Sequence, residues 1–125
     1  MPLAAPNHTL LVAVLLSTFP AAAQQSKHPY DGLWGTDAKA CRDADGTNRM
    51  EINNGGRRFF WYETRCTASA VAPDGPRAWR MTMACEGEGE RFTKRPRLSL
   101  PSPDKLVLEN GPVGRDKRQT YVRCR

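Results

Sequence analysis

The chain has 125 residues, 19 of them Lys or Arg and 13 Asp or Glu, for a net charge of +6. That length suits one domain of ordinary size. Two histidines and four cysteines leave little material for base catalysis or metal binding.

The first element is an apolar run from Leu10 to Phe19, followed by Pro20 and the small residues Ala21, Ala22 and Ala23. This layout predicts a signal peptide over residues 1–23 with cleavage after Ala23, although no Lys or Arg precedes the run. A transmembrane span needs roughly 20 apolar residues, so no such span is expected. The first cysteine is Cys41, too far away for an N-terminal lipid anchor. The expected location is therefore periplasmic or secreted. Residues 24–30, QQSKHPY, read as a flexible polar leader, and residues 31–125 as a single domain.

From Asp31 onward, short runs alternate with turn residues at intervals of about 8–12 positions, the signature of an all-β sandwich or barrel. A turn or two of helix is expected only between Thr36 and Cys41, with Thr36 or Asp37 as N-cap. Strands are predicted near 32–36, 49–53, 57–65, 66–72, 77–85, 91–100, 105–109 and 117–124. Asn53-Asn54-Gly55-Gly56 supplies the positive φ that a tight hairpin requires. In the following run, Phe59 and Trp61 share one side while Phe60 and Tyr62 share the other, so the strand is either covered twice or offers an aromatic patch. Period two is clearest from Arg77 to Cys85, where Trp79, Met81, Met83 and Cys85 fall on one face. Pro96 demotes the first half of the sixth strand to an edge or a bulge. Short connections favour an up-and-down meander, and closure removes exposed edges. The predicted fold is a small antiparallel up-and-down barrel or half-barrel of about 7–8 strands.

After processing, the chain is near the size where burial alone gives a thin stability margin. Cys41, Cys66, Cys85 and Cys124 in an oxidising compartment predict two disulfides. Zinc is disfavoured, because structural sites bring their ligands in close pairs and these cysteines are 25, 19 and 39 positions apart. Alternating strand direction leans toward Cys66–Cys85 with Cys41–Cys124. Cys41–Cys66 with Cys85–Cys124 fits nearly as well, and the sequence does not choose.

Residues 24–63 carry six basic and six acidic side chains, whereas 64–125 carry thirteen and seven. Arg91, Lys94, Arg95 and Arg97, and then Arg115, Lys117, Arg118, Arg123 and Arg125, could draw an anionic surface; the plain alternative is a solvated face. Export argues against nucleic acid despite Arg57, Arg58 and the neighbouring aromatics. Beyond the leader there is no histidine, and the cysteines are assigned to disulfides, so no nucleophile has an anchored base. Glu86, Glu88 and Glu90 sit in a Gly-interleaved turn that offers no burial to raise an acid's pKa, and they read as recognition surface or a soluble turn. No cofactor and no catalytic residue is expected.

Gly32-Leu33-Trp34 opens the first strand and Arg123 lies in the last. This resembles the G-x-W entry of lipocalin-type and related small barrels, which implies that Trp34 closes one end and that a basic residue stacks on its indole. The secretion signal and paired cysteines are also similar to small bacterial periplasmic barrels that include inhibitors of secreted metalloproteases and of lysozymes. No inhibitory motif of those proteins can be carried onto this sequence.

The leading expectation is a non-enzymatic exported binding protein with an envelope protein as partner, an inhibitor of a secreted hydrolase (lysozyme or protease) being the specific form. Its contacts are assigned to Phe59, Phe60, Trp61, Tyr62, Glu86, Glu88 and Glu90, with Trp34 and Arg123 structural. The alternative is a carrier of a small apolar ligand lined by Trp79, Met81, Met83 and Phe92. A hollow interior above roughly 300 Å³ favours the carrier, and a filled one the binder.

Overall fold

The computed structural model describes residues 2–6, 11–17 and 27–125. Residues 18–26, which include the cleavage point predicted after Ala23, lie outside the described residues. Among the described residues the nine strands are β1 (Gly32–Gly35), β2 (Arg49–Asn53), β3 (Arg58–Trp61), β4 (Thr64–Pro73), β5 (Ala78–Gly87), β6 (Glu90–Lys94), β7 (Arg97–Ser102), β8 (Lys105–Glu109) and β9 (Arg118–Arg123). All pairings are antiparallel, and β4 pairs with β5 to close the ring β1-β2-β3-β4-β5-β7-β8-β9. The fold is thus a closed eight-stranded up-and-down barrel with β6 outside the ring, and the half-barrel is ruled out.

The local chemistry explains the strand ends. Asn54, Gly55 and Gly56 have φ of 59°, 65° and 75°, giving the β2–β3 turn its left-handed backbone. The predicted third strand stops at Trp61 rather than continuing to 65, because Tyr62 and Glu63 turn the chain and Glu63 has φ 58°. A register shift between Ala68 and Ala70 marks a bulge in β4. The predicted sixth strand is β6 plus β7: Pro96 interrupts it, and only β7 pairs with β8. The expected helix shrinks to a 3-10 turn at Ala40–Arg42, and the Asp37 carboxylate accepts the Ala40 N–H at 2.7 Å.

Buried residues alternate with more exposed ones along β2, β3 and β7 and meet in the interior. Trp34, Met50, Phe59, Met83, Leu98 and Leu106 are fully buried. Met81 is buried in the same core, with Trp79 and Phe92 partly buried against it. Burying each large apolar side chain contributes about 1.5–3 kcal/mol.

The end where β1 begins is sealed by the segment preceding it. Tyr30 is fully buried, donates from its hydroxyl to the Gly56 carbonyl at 3.1 Å, and accepts the Trp34 indole N–H on its own carbonyl at 3.0 Å. Burial, reinforced by the Asp31 charge, pushes the Tyr30 hydroxyl up to about 12. His28 packs on Tyr30 and on Trp79, with ring centroids 3.9 and 5.0 Å away. That burial lowers the imidazole pKa against the opposing pull of Asp31. His28 and Tyr30 thus pack against the barrel from just before β1. The reason is tertiary: Tyr30 has an aromatic seat next to Phe59 and Trp79 that local polarity does not reveal.

Arg123 locks this seal. Its guanidinium lies 4.3 Å from the centre of the Trp34 ring and donates to the carbonyls of Asp31 (2.8 Å), Pro29 (3.0 Å) and Pro103 (3.0 Å). Gly56 is required at the same place, since a Cβ there would sit 2.6 Å from the Tyr30 hydroxyl and its φ is positive. Gly56→Ala is expected to cost about 2–4 kcal/mol through backbone strain and overpacking. Urea denaturation should show a lower midpoint with an unchanged slope.

Two disulfides cross-link the barrel, Cys41–Cys124 and Cys66–Cys85, which selects the first of the two pairings left open by the sequence. Cys66 and Cys85 face each other across β4 and β5 inside the ring. Cys41 instead reaches Cys124 because the segment after β1 folds back over the outer side of that strand. Gly35 makes room for it, as a Cβ there would lie 2.8 Å from the Asp37 carbonyl and 2.9 Å from the Cys41 sulfur. Two disulfides with no free cysteine point to an oxidising, extracytoplasmic location.

Candidate functional site

The predicted contact residues separate into two groups. Phe59 and Trp61 point inward and are buried in the core, Phe59 fully, while Trp61 keeps 8% of its surface exposed and lines the rim cleft beside Phe60. Phe60 is half-buried on the outer side and Tyr62 is 54% exposed in the turn that follows. The aromatic run is therefore covered on one side only. Trp61 also braces the rim opposite the seal: its indole N–H donates to the Tyr121 hydroxyl at 3.3 Å, which donates to Gln119 at 2.9 Å. Burial raises the Tyr121 pKa.

Strand register builds the outer surface around Phe60. Pairing places Glu51, Phe60, Arg65, Glu86 and Arg91 in one row across β2 to β6, and Asn53, Arg58, Thr67, Ala84 and Thr93 in the next. Because alternate residues share a face, both rows point outward. Glu86 lies between two arginines, 2.9 Å from Arg65 and 3.4 Å from Arg91. The hydrogen bond from Arg65 and then the charges of Arg65 and Arg91 hold the Glu86 carboxyl below its ordinary range. Both ion pairs are exposed and add little stability; their effect is to fix side-chain geometry.

Two open clefts share Phe60, Arg65, Glu86 and Arg91 as walls. One, of about 540 Å³, continues toward the rim past Glu63, Gly87 and Glu90. The other, of about 610 Å³, runs along the sheet past Arg58, Thr67 and Thr93. Glu88 stands exposed at the β5–β6 turn with φ 50°. The surface thus has an aromatic centre, an arginine-rich sheet face and an acidic rim formed by Glu63, Glu88 and Glu90.

Arg58, Arg65 and Arg91 belong to this surface, and only their position across from Phe60 and Glu86 marks them. Their sequence signal is weak, since the three lie in different strands and are gathered by pairing. His28, Tyr30 and Trp79 occupy the opposite end of the barrel. Among the described residues, no cluster of three or more His, Cys, Asp or Glu side chains is placed to hold a metal ion. Among the described residues, no helix is long and apolar enough to cross a membrane.

No protein-family model, curated protein or solved structure matches the chain. What the barrel can do must therefore be argued from its own surface.

Proposed function

We propose that this chain is an exported, non-enzymatic binding protein of the periplasm or the extracellular space, acting on a protein partner through the outer face of β3 to β6. The specific partner class is a secreted hydrolase, lysozyme or protease. The observation carrying this reading is the contrast between a filled interior and a structured exterior. Trp34, Met50, Phe59, Met83, Leu98 and Leu106 occupy the space a carrier would leave for its ligand, while Phe60 sits outside among three arginines. Aromatic and arginine side chains dominate the energetics of protein interfaces, and a rigid cross-linked sheet presents them at little entropic cost.

Export is supported by the apolar run Leu10 to Phe19 and by the disulfides. Leu11, Val12, Leu15 and Leu16 are exposed at 80% or more, so they contribute nothing to the domain core. The G-x-W resemblance supports the same reading through the stack of Arg123 on Trp34.

The test is affinity capture from envelope extract, alongside inhibition assays on lysozyme and metalloprotease. Phe60→Asp is expected to weaken partner binding by tenfold or more, the scale of an interface hot spot, with the thermal midpoint almost unchanged. Absence of both a partner and inhibition would overturn the reading.

A further inference from the structure

β6, which lies outside the ring, has a free edge with a defined pattern. In the β5–β6–β7 ladder the Met81 N–H donates to the Pro96 carbonyl at 3.1 Å and the Leu100 N–H to the Arg77 carbonyl at 2.9 Å. Lys94 and Phe92 pair with Met83 and Cys85 in the same register. Hydrogen-bonded positions alternate along an antiparallel strand, so Glu90, Phe92 and Lys94 bond to β5, and Arg91 and Thr93 turn their N–H and carbonyl groups away from it. β8 ends at Glu109, opposite Arg97, and Asn110 reaches back only to the Arg95 carbonyl, at 3.4 Å. Among the described residues no strand covers Arg91 and Thr93.

We propose that this edge pairs with β6 of a second copy of the chain, antiparallel, about a two-fold axis at Phe92. A self-paired edge must set outward-facing residues opposite one another, which leaves three registers. Placing Arg91 opposite Arg91 sets like charges together. Placing Thr93 opposite Thr93 sets Arg91 opposite Arg95. The remaining register sets Arg91 opposite Thr93, Phe92 opposite Phe92, and Glu90 opposite Lys94 twice. Opposite charges directly across a pair are favourable and like charges are not, so the side chains that protect this edge from a generic strand admit this one.

The pairing stops short of Arg95, whose carbonyl already accepts from the Asn110 side chain. In this register Arg95 of one copy lies opposite Gly89 of the other, and β7, which begins at Arg97, falls beyond the β5–β6 turn. The two rings then flank the shared pair of β6 strands, each joined to it through its own β5. The inference is independent of the hydrolase reading and needs no partner protein for its test.

Sedimentation velocity on the disulfide-intact protein, from about 1 µM to 1 mM, covers the range where so small an interface associates. A concentration-dependent dimer is expected. Glu90→Lys and Lys94→Glu, each alone, set like charges together twice and should raise the dimer Kd by roughly tenfold or more. The double exchange should restore it. Thr93→Pro, which removes an outward N–H and spares the β5 ladder, should abolish the dimer, and the charge exchange decides the matter should that variant not fold. A monomer at every concentration, singles that leave the Kd unchanged, or a double exchange that fails to restore it overturns the proposal. A monomer would also mean that any strand added to β6 comes from another protein.

Discussion

Replacing Arg123 with alanine is expected to lower the stability of the domain by about 3 kcal/mol, the combined loss of charge-assisted hydrogen bonds and a cation–π contact. The side chain meets the carbonyls of Pro29, Asp31 and Pro103 and lies over Trp34. Without it, three carbonyls at the sealed end lose their donor and the Trp34 ring loses its cover. Arg123→Lys should recover less than half of the loss, since one ammonium cannot reach three divergent acceptors and stack at the same time. Chemical denaturation checks the size, and hydrogen exchange checks the place. The predicted signature is faster exchange at Tyr30 and Trp34 than at the β4–β5 ladder, because removing the seal opens one end first.

The second large effect concerns the cross-links. Cys41–Cys124 spans 83 residues and Cys66–Cys85 only 19. By the loop-entropy argument the long link restricts the unfolded chain by about 4–5 kcal/mol and the short one by about 3 kcal/mol. Cys41→Ser with Cys124→Ser is therefore expected to cost more than Cys66→Ala with Cys85→Ala, even though the latter pair lies in the core. With 4–8 °C lost per kcal/mol in a domain of this size, the long-link variant should melt at least about 15 °C lower. Calorimetry on both double variants gives the order directly. The same order in reverse would mean that core packing around Cys66 and Cys85 outweighs chain restriction.

Much of the barrel was legible because its signals are local. The period of two from Trp79 to Cys85, the Asn-Gly turn after β2, and the proline that divides β6 from β7 each act on a few neighbouring residues. The failures share a different cause. Tyr30 sits in a polar stretch, and its burial is decided by Phe59, Trp79 and Gly56, which are distant in sequence. The cysteine pairing stayed open because Cys41–Cys124 depends on a loop folding back over Gly35, a glycine whose need for space is visible only in three dimensions. In the aromatic run, the partition into two sides followed from period two. Which side faces in does not, and the fold turns Phe59 and Trp61 toward the core, with only the Trp61 edge left at the rim cleft. Phe60 was named from sequence, whereas Arg58, Arg65 and Arg91 join it only once the strands are in register.

The basic surplus of the second half also has a clearer meaning in the fold. Arg65 and Arg91 hold Glu86, Arg80 and Arg97 hold Asp74, and Arg123 holds the seal. Several of these cations thus serve geometry, and the positive charge still open to a partner is confined to fewer places than the count suggests.

Both the rigid surface and the location outside the cytoplasm rest on the cross-links. The most direct measurement is peptide mapping, without reduction, of the protein recovered from its native compartment. The account predicts Cys41 joined to Cys124, Cys66 joined to Cys85, and no free thiol; free cysteines, or either of the other two pairings, would contradict it.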